Sequence, residues 1–263
     1  MSYSFDNVAV EHYDRTRAVS PELLARALDA VEERFAPATY RSVLEPGVGT
    51  GRIAIPMARR GYHITGVDIS PRMMGVLRAK LAEEASDLSI EVQDADVTDL
   101  PFPPEVFDMV AFTHVLHLVS DWRLAVREMV RVLKGRHPIL SMVTRLQLAG
   151  ELLGRYRELV AEHVAIDNVG IQDFAEYPAY LKSLGGIEVW EKISFEAPRA
   201  LSLADLVAGL ESRSFSMAAR TPADIHGKIM PRFVAEVTDR FGSLEAMPDD
   251  VEEITIEAYL SPA

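Results

Sequence analysis

The sequence predicts an α/β fold, a parallel sheet with helices on both faces. Three observations predict it. Between residues 41 and 144 strand-like stretches alternate with helical ones, the rhythm of sheets built from strand–helix–strand units. "VLEPGVGTGRIA", residues 43–54, sets Gly47, Gly49 and Gly51 between a short strand and a helix. Gly47, Asp68, Asp96 and Thr113 each fall just after a predicted strand. Ligands of such sheets bind beyond the carboxyl ends of the strands, at the topological switch point. Four separate segments therefore converge on one crevice.

Ser20-Pro21-Glu22 opens the first helix with a capping side chain and a proline whose missing N–H costs nothing there. Leu23, Leu24, Ala27, Leu28, Val31 and Phe35 follow at helical spacing. "RSVLE" (41–45) is a strand, a helix runs from about 51 to 60, and "HITGVD" (63–68) is the second strand. Ser70-Pro71 starts a helix that reaches about Glu84. "LSIEVQDAD" (88–96) and the nearly continuous apolar "FDMVAFT" (107–113) are the third and fourth strands. A helix runs from Asp121 to about Lys134 with Gly135 as its stop, and "PILSMVT" (138–144) is the fifth strand.

Past residue 145 the pattern changes. "LQLAGELLGRYRELVAEHVAID" and "FAEYPAYLKSLG" read as helices, and "IEVWEKISFEA" (187–197) alternates as a strand. Residues 202–212 and 222–241 are helical, and "EEITIEAYL" (252–260) is a last strand. The expectation is a single domain. Its core is about 36–144 plus the strands 187–197 and 252–260. Helical cover comes from about 145–186 and 200–245. That cover holds Arg145, Tyr156, Glu162, His163, Tyr177, Tyr180, Trp190, Arg213 and Phe215, from which the walls of a substrate pocket are expected.

The 263 residues carry a net charge of −13. Gripping a phosphate backbone takes a basic face, so no nucleic-acid partner is expected, and a cationic, neutral or small ligand fits better. Residues 241–263 hold six acids and no Lys or Arg, which reads as a solvated acidic face or tail strand. The absence of cysteine excludes disulfides, thiolate nucleophiles and cysteine-type zinc sites. "MSYSFDNVAVEHYDRTR" has no basic-then-apolar leader pattern, and no apolar run approaches the ~18 residues of a membrane span. A soluble cytoplasmic protein without membrane partners is expected.

Two cofactors suit such a glycine loop. Residues 49–54 fit the G-x-G-x-x-A pattern of a dinucleotide loop, and Asp68 follows at about the spacing of a ribose-binding acid. A dinucleotide loop, however, starts directly off its strand, and here Glu45-Pro46-Gly47-Val48 intervene. The pattern is better written from Glu45 as E-x-G-x-G-x-G. In that form it resembles the first motif of the class I S-adenosylmethionine-dependent methyltransferases, in their small-molecule "methyltransferase type 11" branch. "GVDIS" (66–70) resembles the second motif and "DVTDLPFPPEVFDMV" (96–110) the third. "VLHLVSDW" (115–122) and "EMVRVLKG" (128–135) resemble the helix region that follows. The resemblance spans about residues 8–144. It departs at one place: the family has Lys-Pro-Gly-Gly after "RVL", and this chain has "KGRHP". That alters the turn into the fifth strand, away from the cofactor.

The resemblance implies a Rossmann-like, seven-stranded, mostly parallel sheet with an antiparallel last strand and a helical cap. It implies methyl transfer from S-adenosylmethionine to O, N or C of a small-molecule acceptor, leaving S-adenosylhomocysteine. Gly47, Gly49 and Gly51, with Thr50 among them, would let the backbone approach the cofactor's amino-acid moiety. Glu45 would turn negative charge toward its ammonium. Asp68 would take the ribose hydroxyls, and Ile69 and Met73 the adenine face. Asp96 would accept from the adenine amino group, and the Val97 N–H would donate to a ring nitrogen. Thr113 and His114 would border the sulfonium. "EHYDRTR" (11–17) resembles the family's segment that folds over the cofactor, so residues 1–35 would form a lid with Tyr13 and Arg17 toward the carboxylate.

Methyl transfer is an in-line displacement dominated by alignment. A general base is needed only when the nucleophile arrives protonated. His114 and His117 are the candidates, each alternatively a structural histidine bonded to a nearby carbonyl. No metal is expected, because the pair is spaced i, i+3 with no third ligand close in sequence. Two other functions stay open on the sequence: an NAD(P)-dependent oxidoreductase, and a protein that binds S-adenosylmethionine without turning it over.

Overall fold

A computed structural model describes residues 19–84, 87–165, 169–171, 173, 176–185 and 192–261. The strands are β1 (Ser42–Pro46), β2 (His63–Asp68), β3 (Ile90–Asp94), β4 (Met109–Thr113), β5 (Pro138–Leu146), β6 (Ile193–Ala200) and β7 (Asp249–Leu260). They form one seven-stranded sheet in the order β3-β2-β1-β4-β5-β7-β6. β1 to β5 are parallel, and β7 runs antiparallel between β5 and β6. The chain moves outward from β1 to β3, then crosses back to lay β4 on the other side of β1. The switch point therefore lies between β1 and β4.

The helices are α1 (Pro21–Arg34), α2 (Ala54–Ala58), α3 (Pro71–Glu84), α4 (Trp122–Val132), α5 (Gln147–Ala161), α6 (Glu176–Ser183), α7 (Leu203–Glu211), α8 (Ser216–Arg220) and α9 (Ala223–Phe241). The central strands read as unbroken apolar runs because both faces are buried. Val43, Met109 and Ala111 pack on one side with Leu28 and Val31 of α1, Met57 of α2 and Leu77 of α3. Leu44, Val110 and Phe112 pack on the other with Val126 and Met129 of α4 and Tyr177 of α6. A third apolar cluster joins α5, α7 and α9 through Leu152, Tyr156, Leu206, Leu210 and Phe233. This is the helical cap, and ion pairs lace its outer face: Arg155–Glu236, Arg232–Glu162 and Arg240–Glu151.

The helix starts predicted at Ser20 and Asp121 hold. Ser20 Oγ accepts the Leu23 N–H at 3.3 Å, and Asp121 Oδ1 accepts the Leu124 N–H at 2.9 Å. The ends moved where tertiary pairing intervened. α4 stops at Val132 rather than near Lys134, because Leu133 turns extended and bridges to Phe107. β5 continues past residue 144 to Leu146, because β7 pairs with it along its whole length. The helix expected over 51–60 is only Ala54–Ala58, since Gly51 sits at φ 78° and breaks the helical path. α8 and a 3₁₀ turn at Leu116–Leu118 were not predicted. β6 spans Ile193–Ala200, and the start of the strand expected at 187–197 lies outside the described residues. Among the described residues no helix is long and apolar enough to cross a membrane.

Candidate active site: two cavities that share His114

At the switch point a groove is walled by Gly47 and Gly49 after β1, Asp68 at the end of β2 with Ile69 and Met73 beyond it, Asp96 and Val97 after β3, and Thr113 at the end of β4 with His114 beyond it. The convergence expected from the sequence is thus a physical groove.

Asp68 organises its floor. Its Oδ2 accepts the Gly49 N–H at 2.8 Å and its Oδ1 the Ser70 N–H at 2.9 Å. Ser70 Oγ in turn accepts the Met73 N–H at 3.3 Å. One carboxylate therefore ties the glycine loop to the end of β2 and the start of α3. Asp96 Oδ1 accepts from both the backbone N–H and the hydroxyl of Thr98, at 2.9 and 2.8 Å, which sets the turn after β3. Ile69 stands on the rim with 39% of its surface exposed, an apolar side chain for a ligand to cover.

The three glycines do different things. Gly47 has φ 72°, and a Cβ there would stand 2.8 Å from Val115 Cγ2. Gly49 has φ 54° and opens toward the groove, with only Met73 Cε and the Gly47 carbonyl, among the described residues, within 4 Å of an added Cβ. At Gly51 the space is taken by Leu77, so its lack of a side chain serves packing on α3 rather than a ligand. Thr50 is buried, and its carbonyl accepts from Lys80 Nζ at 3.0 Å.

Glu45 ends up beneath the loop, 3% exposed. Its Oε2 has no hydrogen-bond partner among the described residues. Burial pushes its carboxyl up to about 8, against which Arg52 pulls it down and Asp68 pushes it further up. A buried acid with an orphan oxygen costs free energy unless a donor or cation meets it. A cationic ammonium is such a partner.

His114 holds a left-handed backbone, φ 52°. The Thr144 N–H donates to its Nε2 at 3.2 Å, and Thr144 Oγ1 lies 2.9 Å from the same nitrogen. A backbone N–H only donates, so Nε2 accepts and the ring proton sits on Nδ1. His114 also lines a second cavity, of about 660 Å³, between the sheet and the cap. Thr144, Arg145, Leu153, Arg157, Leu206, Phe215 and Met217 are among its walls.

Of the residues picked from sequence, Glu45, Thr50, Gly51 and His117 line neither cavity. The His117 ring lies 6.2 Å from that of His114. Tyr13, Arg17 and Trp190 lie outside the described residues. Arg145 and Phe215 do line the cap cavity, whereas Tyr156 and Tyr177 are core. The sequence reading missed Val115, Leu118 and Val119 in the groove wall. Their signal was the apolar run of "VLHLVSDW", whose 3₁₀ turn was not foreseen.

The model of the family described as "Methyltransferase domain" matches residues 44–136. The chain is 32% identical over 234 residues to an uncharacterized methyltransferase of Mycobacterium bovis, covering 88% of this chain and 84% of that protein. It is 35% identical over 149 residues to a demethylmenaquinone methyltransferase of Clavibacter sepedonicus. That match covers 55% of this chain and 58% of the relative. The solved structure of the YcgJ protein from Bacillus subtilis superposes with a TM-score of 0.60 at 20% identity, covering 92% of this chain and 99% of that one, a likeness of fold. These matches set aside the nicotinamide reading of residues 49–54. The chain belongs to the Methyltransferase domain family, the class I S-adenosylmethionine-dependent methyltransferases.

Proposed function

We propose that this protein binds S-adenosylmethionine in the switch-point groove and methylates a small molecule held in the cap cavity. The observation that carries the proposal is the place of His114, which lines both cavities. Bound there, S-adenosylmethionine supplies a methyl group on a positive sulfur, a leaving group that needs no proton.

In this reading the protein's residues bind, orient and exclude water. Asp68 and Asp96 fix the nucleoside end, with Ile69, Met73 and Val97 against the base. Gly49 leaves room for the amino-acid end, and Glu45, buried beneath the loop, turns its charge toward the cofactor's ammonium. Tyr13 and Arg17 belong to the segment assigned to its carboxylate. Just downstream of that segment, Val19 lines the cap cavity and the Ser20 N–H is held by Glu252 at 3.0 Å. The cap over about 145–186 and 200–245 keeps water from the reacting atoms, where alignment contributes most of the acceleration. His114, with Nε2 committed to Thr144, acts as a rigid wall at the junction rather than as a proton acceptor at that nitrogen.

Calorimetric titration of the full chain with S-adenosylhomocysteine, with NADH as the control, tests the cofactor. Micromolar binding of the first alone is expected. Binding of NADH alone would overturn the proposal.

A further inference from the structure

The cap cavity is mostly apolar, walled by Leu146, Leu153, Leu206, Phe215 and Met217. Three arginines also reach its wall. Arg199 is committed to the buried Glu252 at 3.2 Å. Arg145 and Arg157 are not: neither has a hydrogen-bond or ion-pair partner among the described residues.

Their isolation stands out in a chain with 40 acidic and 27 basic side chains. Arg155, two positions from Arg157 on α5, is bound by Glu236 at 2.7 Å and Glu158 at 2.8 Å. Arg145 stands opposite Glu253 in the β5–β7 register, yet Glu253 instead accepts the Thr255 hydroxyl at 3.0 Å. The remaining acids of the wall have other support. Glu252 takes Arg199 and the Ser20 N–H, and Asp205 sits in the first turn of α7, where the helix dipole favours it. Gly150, Leu153 and Arg157 share one face of α5, and a Cβ at Gly150 would meet nothing within 4 Å among the described residues. The helix face is thus hollowed one side of Leu153 and charged on the other.

We infer that the methyl acceptor is an apolar molecule carrying one anionic group, a carboxylate or a phosphate, gripped by Arg145 and Arg157 while its apolar body lies along α5 and α7. Guanidinium forks match the planar oxygens of both anions. The wall sets three arginines against three acids, Asp205, Glu252 and Glu253, so it lacks the acid excess of the whole chain, whose net charge is −13. The inference rests on the methyltransferase reading of the site.

The test titrates the full chain, saturated with S-adenosylhomocysteine, with four probes of one chain length: decanoate, decyl phosphate, decanol and decylammonium. At least one of the two anions is expected to bind about tenfold tighter than decanol, with decylammonium weakest. Preference for decanoate marks a carboxylic acid acceptor, and preference for decyl phosphate marks a phosphate ester. The double variant Arg145→Gln/Arg157→Gln should bring the anions to within about twofold of decanol and leave S-adenosylhomocysteine binding unchanged. Both arginines are exposed, so these changes leave the core intact. Gly150→Phe should weaken the anions without touching the cofactor site. Decanol or decylammonium binding as tightly as the anions would overturn the inference. So would no binding of either anion, an anion preference that survives the double variant, or decanoate binding that ignores Gly150→Phe. Absence of S-adenosylhomocysteine binding in the first step would instead defeat the cofactor reading, so the two failures are distinguishable.

Discussion

His114 and Thr144 clasp the ends of β4 and β5 where the groove meets the cap cavity. The Thr144 N–H donates to His114 Nε2 at 3.2 Å, and the threonine hydroxyl lies 2.9 Å from the same nitrogen. Two neighbouring parallel strands are thereby tied beyond their own ladder, at the place where the proposed cofactor and acceptor sites meet.

Replacing the ring tests this clasp. His114→Ala should lower unfolding stability by about 1–2 kcal/mol, the order of its lost hydrogen bonds. It should leave S-adenosylhomocysteine affinity within about threefold and reduce turnover of an active acceptor by about a hundredfold, because misplacement costs alignment. Unchanged turnover would remove His114 from the reaction. His117→Ala is expected to keep turnover, since His117 lines neither cavity. Lost turnover with retained cofactor binding would make it the base after all.

Glu45 predicts a pH dependence. Its carboxyl is raised to about 8 by burial in the free protein. From the ordinary carboxylate range up to about 8, the folded chain therefore holds a proton that the unfolded chain has lost. Its contribution to stability is favourable at low pH, declines as pH rises through that window, and levels off above about 8. An ammonium bound in the groove above it favours the carboxylate and expels the proton. Affinity for S-adenosylhomocysteine should then rise toward about pH 8, by at most roughly tenfold per unit. Calorimetry at pH 6 and 8 reads this, and Glu45→Gln should flatten it. A flat native profile would separate Glu45 from the ligand.

Asp68→Ala removes the two bonds that hold the loop and the start of α3, as well as the proposed ribose acceptor. Cofactor affinity should fall by at least about a hundredfold, while the melting transition stays cooperative at a cost of about 1–3 kcal/mol. Native-like affinity in this variant would refute the placement of the cofactor.

The departure at "KGRHP" carries a stability prediction. Arg136, in the turn where the family's pattern has glycine, is exposed and held at φ 58°. A left-handed backbone costs a non-glycine residue roughly 1–2 kcal/mol. Arg136→Gly should therefore stabilise the protein, by about 0.5–1 kcal/mol after the greater chain entropy of glycine is set against that strain. Urea unfolding measures it, and a loss of stability would show that the arginine side chain matters to this turn.

Much of the groove was legible in the sequence because its residues follow strand ends, and strand ends are marked locally. The strands end at Pro46, Asp68 and Thr113, each marked by a glycine or polar residue at or just past its end: Gly47, Asp68 and Thr113-His114. Asp68 was identified as a ligand-binding acid. Its second task, holding the Gly49 N–H, was hidden because that bond joins residues 19 apart. Gly51 looked like its neighbours in the motif and turned out to make room for Leu77, a contact that only the docking of α3 creates. Glu45 could be named from its motif, but its burial depends on everything packed above β1.

The sequence by itself determined the strand–helix alternation, the glycine loop, the acids after β2 and β3, and the helix starts at Ser20 and Asp121, because these depend on residues close along the chain. Only the tertiary structure decided that β7 enters between β5 and β6. It alone decided that Leu133 leaves its helix to bridge Phe107, that His114 is clasped by Thr144, and that Arg145 and Arg157 face one cavity. Local periodicity records which face of an element is buried. It does not record which distant element buries it, and the cap cavity is made of such distant pairings.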